Sequence, residues 1–402
     1  MTMVDAPTLD VNFADPDLLQ DPYPILHAIR EAGPAVYNPS IDHWMVASYR
    51  HVRAIILDDT RFVPDSERFE ELYGAPVMES MENPRHNEVR GIWASPFRIN
   101  TLEGLRGMIT EVAEDRLDPL VEKLLDGEVV DIVPTFSRVI AALVIARMLG
   151  VSQEDIPQFV AWSADMGKTL EALNEPEPER ASLLQREGHA ATAAICTYAG
   201  RQLDKGRKGE SSGDLIGMLA LSPVNETMSE EEQQAAVAQL IVAGHDNMTH
   251  TISQTLIALA QHHEQRRAIV HDRSLIPQTI EEVLRWKTSA SGDTRVVREQ
   301  VALDDVTLPE SSKVMILLAA ANRDPERWED PDRFDIFRPA KRHLAFGLGT
   351  HVCLGLNLAR LEAQVMLDKI LDRIPSYILV DEHIEYGPPF FMRGPKAARI
   401  RL

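Results

Sequence analysis

Near the C-terminus, the run Phe346-Gly347-Leu348-Gly349-Thr350-His351-Val352-Cys353-Leu354-Gly355 sets one of the chain's two cysteines in a glycine-rich turn. Apolar residues of helical spacing follow at once: Leu356, Leu358, Ala359, Leu361, Val365 and Met366. That spacing predicts a helix starting just behind the turn. Unpaired N–H groups and the macrodipole at its N-terminus favour a thiolate over a thiol. Gly347, Gly349 and Gly355 lack a Cβ, so the backbone can turn tightly and approach something flat and bulky. A thiolate displayed in this way is an axial ligand for haem iron, where it pushes electron density toward O–O cleavage. A lone cysteine more often packs as a small apolar residue. That reading gives the three glycines and His351 no purpose.

Phe346 to Gly355 match Phe-Gly-x-Gly-x-His-x-Cys-x-Gly at every fixed position. On this motif the chain resembles the bacterial soluble cytochromes P-450, the haem-thiolate monooxygenases. The resemblance implies a mostly α fold with small β regions, built as a single large domain over residues 1–402. Within it, 1–20 would be an N-terminal extension and 61–85 a lid-like loop. The long distal helix would occupy 229–262, and the cysteine loop with its following helix 340–373.

Composition agrees with one large core. Forty-four per cent of the 402 residues are hydrophobic, and no low-complexity tract or repeat divides them. Two cysteines, Cys196 and Cys353, argue against a disulfide framework and for a reducing compartment. Met1 to Asn12 shows no signal-peptide pattern, and no apolar run approaches the roughly 20 residues that span a bilayer. The expectation is a cytoplasmic protein. Its net charge of −21 disfavours nucleic acid and anionic membranes as partners. Against that background Arg338, Lys341, Arg342 and His343 form a local basic cluster just upstream of the cysteine loop. It is either an ordinary solvated cluster or a dock for an acidic electron donor.

Local patterns predict a helix over 22–32, then a hairpin joining Ala35-Val36-Tyr37 to Trp44-Met45-Val46. Residues 61–85, with Pro64, Pro76 and Pro84, read as an irregular loop. From 102 to 220 the patterns are helical, with breaks at Gly127, Gly150 and an exposed turn over 175–179. Ser229 and Glu232 form a capping box that opens the longest helix. A further helix runs over 277–286, and 294–320 reads as short strands turning at Pro309.

Several residues take roles from the resemblance. Glu282 and Arg285, three apart on a helix, match the Glu-x-x-Arg pair buried behind the haem; Arg338 is the expected third partner. Because a buried pair costs desolvation, its role would be to fix the cysteine loop's geometry. His86 and Arg90 match a His-x-x-x-Arg propionate element on one helical face. Arg295, just before a strand, and His351 would also meet propionates, while Phe346 and Gly347 cradle the ring. Taken singly, each of these is as ordinary as a surface residue or a satisfied core histidine.

Ala243-Gly244-His245-Asp246-Asn247 matches the distal pattern Ala/Gly-Gly-x-Asp/Glu-Thr except at its last position. Gly244 would leave room for dioxygen, and Asp246 would relay protons. A threonine hydroxyl can pass a proton on, whereas the Asn247 carboxamide can only order a water or a polar group of the substrate. Thr249 lies about 200° round the helix and cannot substitute. The substrate pocket would be walled by Ile241, Ala243, Asn247, Ser291, Phe390 and Phe391.

The implied function is insertion of one atom of O2 into a small, largely hydrophobic substrate at a Cys353-ligated haem b. Electrons would come from a separate ferredoxin-type donor with its reductase, and the enzyme would act as a monomer. Alternatives are a peroxide-using or isomerase-type haem-thiolate enzyme and a non-catalytic haem-binding sensor. A zinc site from His343, His351 and Cys353 fails on spacing and lacks a fourth ligand.

Overall fold

The computed structural model describes residues 6–402 except 173, 174, 176, 211, 212 and 388. Its packing groups into two compact units. One comprises Met1–Asp65, Gln278–Cys353 and Glu385–Gly394; the other comprises Ser66–Pro277, Leu354–Ile384 and Pro395–Leu402. Each is assembled from three separated stretches, so neither is a segment that could be cut out of the chain. Helix dominates, with small sheets beside it.

The first unit is organised by a five-stranded sheet in the order Val36–Asn38, His43–Val46, Lys313–Ile316, Asp293–Val297, Phe62–Pro64. His43–Val46 runs parallel to Lys313–Ile316; the other pairs are antiparallel. Side chains alternate across a strand, so Trp44, Val46, Val314 and Ile316 share one face. They pack with Ile55 and Ile56 of the Tyr49–Leu57 helix and with Leu344 and Leu348 of the cysteine loop. Met45, Ala47, Met315 and Leu317 share the opposite face with Leu26, Ile29 and Phe390. Both faces are buried, which explains why these strands read as continuous apolar runs. The expected hairpin forms, with Asp42 at φ 53° in its turn.

The second unit is built on the Glu230–Gln261 helix, whose capping box is complete: Glu232 N donates to Ser229 Oγ at 3.2 Å and Ser229 N to Glu232 Oε2 at 2.7 Å. Helices Arg106–Leu125, Arg138–Leu149, Ile156–Ala172, Pro178–Arg207 and Leu356–Arg373 accompany it. Gly127 and Gly150 break the pattern in the left-handed region, at φ 81° and 80°. Of the expected turn over 175–179, residue 176 lies outside the described residues, and Pro178 already begins a helix.

Two expectations need correction. Residues 61–85 are irregular only over 74–84: Phe62–Pro64 is an edge strand of the sheet and Ser66–Tyr73 is a helix. Pro64 misled because it sits in an edge strand, where a missing N–H costs nothing, whereas Pro76 and Pro84 lie in the irregular part. Residues 6–20 of the expected extension are also integrated. Thr8 bridges to Tyr37, and Pro16–Gln20 is a short helix that buries Leu19.

Candidate active site

In the first unit, the cysteine loop folds on itself. Gly347 N donates to Leu344 O at 2.9 Å, Val352 N to Gly349 O at 3.3 Å and Cys353 N to Phe346 O at 2.9 Å. Gly347 and Gly349 hold φ of 62° and 66°, a region that L side chains resist. A Cβ on Gly349 would also come within 3.2 Å of Ile56 O. The loop ends with Cys353 exposed, whereas Cys196 is partly buried and its thiol is pushed up in pKa by burial.

A buried network stands behind the loop. Arg285 donates Nε to Glu282 Oε2 at 2.8 Å and Nη2 to Glu282 Oε1 at 2.7 Å, with both side chains under 5% exposed. Glu282 Oε1 also accepts Asp335 N at 3.0 Å and Arg338 Nε at 3.3 Å. Arg285 Nη1 reaches Asn322 O at 3.0 Å, and Asn322 Oδ1 takes Leu344 N at 2.7 Å. Asn322 Nδ2 donates to Thr288 Oγ1 at 2.8 Å. The ion pair is thereby connected, through Asn322, to the residue on which the cysteine loop closes. Sequence reading missed Asn322; a polar residue directly behind the apolar run Leu317 to Ala321 was its only signal.

The basic cluster is smaller than the sequence suggested. Arg338 is folded inward onto Glu282 and the carbonyls of Glu329, Asp330 and Arg333. His343 is buried, with Nδ1 accepting Ala345 N at 3.2 Å and Nε2 3.3 Å from Glu281. Lys341 and Arg342 remain exposed.

Other first-unit residues also sit differently. Arg295 lies inside the Asp293–Val297 strand rather than before it, and its guanidinium is paired with Asp293. Ser291 is not a pocket wall: it is buried, its N–H donates to Phe391 O at 2.9 Å and its carbonyl takes Ala319 N at 2.9 Å. Phe390 is core, its ring 4.7 Å from that of Phe13. Phe391 stays partly buried, its ring 3.3 Å from where a Cβ on Gly292 would stand.

In the second unit, residues 235–260 of the long helix are buried or half-buried, with the single exception of exposed Ala243. Asn247, one turn on, is half-buried on the same face. Ile241 lies about 200° from Ala243 and is fully buried, so it does not belong to that open stripe. Gly244 does not open space for dioxygen either. A Cβ there would stand 3.0 to 3.3 Å from Ile145, so the glycine lets the Arg138–Leu149 helix pack closely. Asp246 Oδ1 is 3.3 Å from His245 Nδ1, and its charge helps raise the pKa of buried Tyr73, where burial is the larger cause.

Burial lowers the pKa of His245 against the pull of Asp246. On the Arg85–Trp93 helix, His86 is buried, with Nδ1 3.2 Å from Asn87 Oδ1, and Arg90 is half-buried one turn later. A cavity of about 350 Å³ lies among Arg68 and Glu71 of the expected lid segment, Thr169 and Leu170, and Ser182 and Gln185.

Comparison with known proteins fits this picture. Residues 36–375 match the family described as Cytochrome P450. The Bacillus subtilis biotin biosynthesis cytochrome P450 is 31% identical over 96% of this chain and 98% of its own length. The PikC monooxygenase of Streptomyces venezuelae is 32% identical over 100% and 95%. Among solved structures, P450BioI bound to an acyl carrier protein ligated with hexadec-9Z-enoic acid superposes with a TM-score of 0.86 at 29% identity, covering 96% of this chain and 99% of that one. A testosterone complex of Bacillus megaterium CYP109E1 gives 0.85 at 28%, with the same coverages. The chain belongs to the cytochrome P450 family, and it is a haem-thiolate monooxygenase, an oxidoreductase that works with redox partners on small substrates.

The family's cofactor is haem b on a cysteine thiolate. The donor set here fits such a group: an exposed thiol at the end of a tight glycine loop, and histidine and arginine side chains of the kind that hold propionates. No helix of the described residues is long and apolar enough to cross a membrane.

Proposed function

We propose that Cys353 is the axial thiolate and that the enzyme oxygenates a small, largely hydrophobic substrate with electrons from a ferredoxin-type partner. The exposed Cys353 at the end of its left-handed glycine loop carries this reading. Bound there, the haem would activate dioxygen, placing one atom in the substrate and releasing the other as water. His86, Arg90, Arg295 and His351 would hold the propionates, with Arg295 sharing itself between Asp293 and a propionate. Ala243 and Asn247 would face the substrate, Asp246 would supply protons, and Glu282 with Arg285 would brace the loop. Lys341 and Arg342 are the cations left to steer an acidic donor, and the enzyme would act as a cytoplasmic monomer.

The solved relatives hold a steroid and a protein-tethered fatty acyl chain. A free hydrophobic molecule of that size suits the 350 Å³ cavity as an entry route. The test is spectroscopic. Reduced holoenzyme with carbon monoxide should show the long-wavelength band of thiolate ligation, and Cys353→Ser should lose it. Persistence of that band in the variant would assign the ligand to Cys196 and sink the reading. Haem spin-state titrations with testosterone, hexadec-9-enoic acid and its acyl carrier protein conjugate then sort the substrate classes.

Asn247 favours a second reading, because a carboxamide relays protons poorly. If product forms faster with hydrogen peroxide than with ferredoxin and its reductase, the peroxide-using alternative replaces the first.

A further inference from the structure

Lys287 directly follows the Ile276–Trp286 helix, and its side chain is set among groups of its own sign. Three rings frame the cluster: Nζ lies 5.4, 4.9 and 5.3 Å from the centroids of Tyr23, Trp286 and Tyr386. Arg323 Cζ stands 3.3 Å from the Tyr23 centroid and 5.0 Å from that of Trp286, and Arg393 Cζ stands 3.7 Å from that of Tyr386. All of these residues belong to the first unit. Both arginines are buried, whereas Lys287 is half-buried, so solvent still reaches its side chain.

The arginines are held by the chain. Arg323 donates Nε and Nη2 to Trp286 O at 3.0 and 2.6 Å and Nη1 to Asp332 at 3.1 Å. Arg393 donates Nε to Leu19 O and Nη2 to Gln20 O, which leaves Nη1 without a hydrogen bond among the described residues. Lys287 Nζ likewise has no hydrogen bond or ion pair among them and meets only the rings. Carboxylates do not restore neutrality. Asp332 is 51% exposed and engaged by Arg323, with His27 Nε2 3.5 Å away, and Asp21 attracts Lys287 less than either arginine repels it.

Aromatic faces attract cations but cannot neutralise them. The cluster therefore lacks an anion at the one member that can change its charge. We propose that Lys287 is a carbon dioxide site, its amine adding CO2 to form a carbamate whose oxygens face Arg323 and Arg393. The nitrogen lone pair forms the N–C bond, one C–O π bond opens to leave the anionic oxygen, and one N–H proton goes to solvent. Nothing is oxidised or reduced. In place of three like charges, two guanidinium groups then flank a carboxylate-like anion, a strong charge-assisted pairing. Only a neutral amine can attack, and burial, with Arg393 and Arg323 close by, lowers the Lys287 pKa from 10.5 to about 7. At fixed dissolved CO2 the carbamate should grow in as pH rises through 7, where solvated lysines stay protonated.

The test uses holoenzyme held as the diamagnetic ferrous carbon monoxide complex, in carbon-13 bicarbonate between pH 7 and 8. Carbon NMR should show a carbamate resonance that is lost in Lys287→Arg and in Lys287→Met and weakened in Arg393→Gln. At matched pH and ionic strength, dissolved CO2 should raise the thermal midpoint of the parent and leave that of Lys287→Met unmoved. Trapping with a trialkyloxonium salt, followed by peptide mass spectrometry, needs no variant to fold: the alkylated carbamate must sit on Lys287. A label confined to the α-amine or to other lysines, or a carbamate resonance that persists in both Lys287 variants, overturns the proposal. Rapid acetylation of Lys287 by acetic anhydride with no carbamate formed overturns it as well, because a neutral amine would then be present and hold no CO2.

Discussion

Asn322 receives the Leu344 N–H on its side-chain oxygen at 2.7 Å while its backbone carbonyl receives Arg285 at 3.0 Å. One fully buried residue thus joins the ion pair to the cysteine loop. Asn322→Ala should leave the Leu344 N–H without a partner, at about 1–3 kcal/mol for a buried unsatisfied group. The expected result is a lower thermal midpoint and a carbon monoxide complex that loses its long-wavelength band sooner on warming. Asn322→Asp keeps an acceptor for Leu344 and should lose less. Equal behaviour of both variants and the parent would mean that Asn322 does not brace the loop.

Arg338 and the pair Lys341 and Arg342 should separate cleanly. Lys341→Glu with Arg342→Glu should slow reduction by an acidic ferredoxin at low salt and leave folding intact. The effect should fade at 1 M salt, where the Debye length is about 3 Å. Arg338→Glu should instead destabilise the protein, because it removes a buried partner of Glu282 and adds a like charge beside it. Stopped-flow reduction and thermal melts tell the two apart; a reduction defect confined to a stable Arg338→Glu would reverse the assignment.

Gly244→Ala pushes a methyl against Ile145 at 3.0 Å. Overpacking of this kind costs about 1–3 kcal/mol. Ile145→Ala, which removes the Cγ1 and Cδ1 atoms nearest that methyl, should cost less in the Gly244→Ala chain than in the parent. If Gly244→Ala costs as much beside the shortened side chain as beside the native isoleucine, the contact is not what the glycine serves.

Lys287 offers a pH test of stability rather than of activity. Burial, with Arg393 and Arg323 close by, lowers its pKa from 10.5 to about 7. Tyr23, Trp286 and Tyr386 surround its ammonium at 4.9 to 5.4 Å and offset part of that penalty. Between pH 7 and 10.5 the unfolded lysine holds a proton that the folded one releases, so stability should rise with pH across that window. Below pH 7 both states are protonated and the full penalty remains. Lys287→Met should therefore raise the thermal midpoint most at pH 6 and flatten its rise toward pH 10. A parallel shift at every pH would show that Lys287 titrates normally.

Asn247 is tested by coupling. Asn247→Ala should increase the share of electrons lost as hydrogen peroxide, and Asn247→Thr should match or improve on the parent. Asp246→Asn should lower turnover by about 10²–10⁴-fold, the usual range for general acid–base steps, with substrate affinity nearly intact. Unchanged coupling, affinity and regiochemistry in Asn247→Ala would remove that residue from the distal face.

Local rules carried far where one short stretch held all the information. Ser229 with Glu232 announced the long helix, and Gly347 with Gly349 announced a tight turn, because caps and turns are matters of a few adjacent residues. Sequence reading failed where a partner came from far along the chain. Gly244 looked like space for a ligand until Ile145 was seen against it. Phe390 looked like a pocket wall, yet its ring neighbour is Phe13. His343 looked like part of a solvated basic cluster, yet it is buried with Nε2 3.3 Å from Glu281. Charge and hydrophobicity are properties of a residue, but the face it turns inward depends on contacts that no local pattern encodes.

The parallel pairing of His43–Val46 with Lys313–Ile316 has a consequence for how the protein is made. Trp44 meets Val314 only after about 270 more residues have left the ribosome. At roughly 5–20 residues per second, that is about 14–54 s during which the early hairpin has an unclaimed edge. Such an edge is a template for pairing with the wrong chain. Slower synthesis or crowded polysomes should therefore lower the yield of soluble enzyme, and chaperones that shield the first 65 residues should restore it.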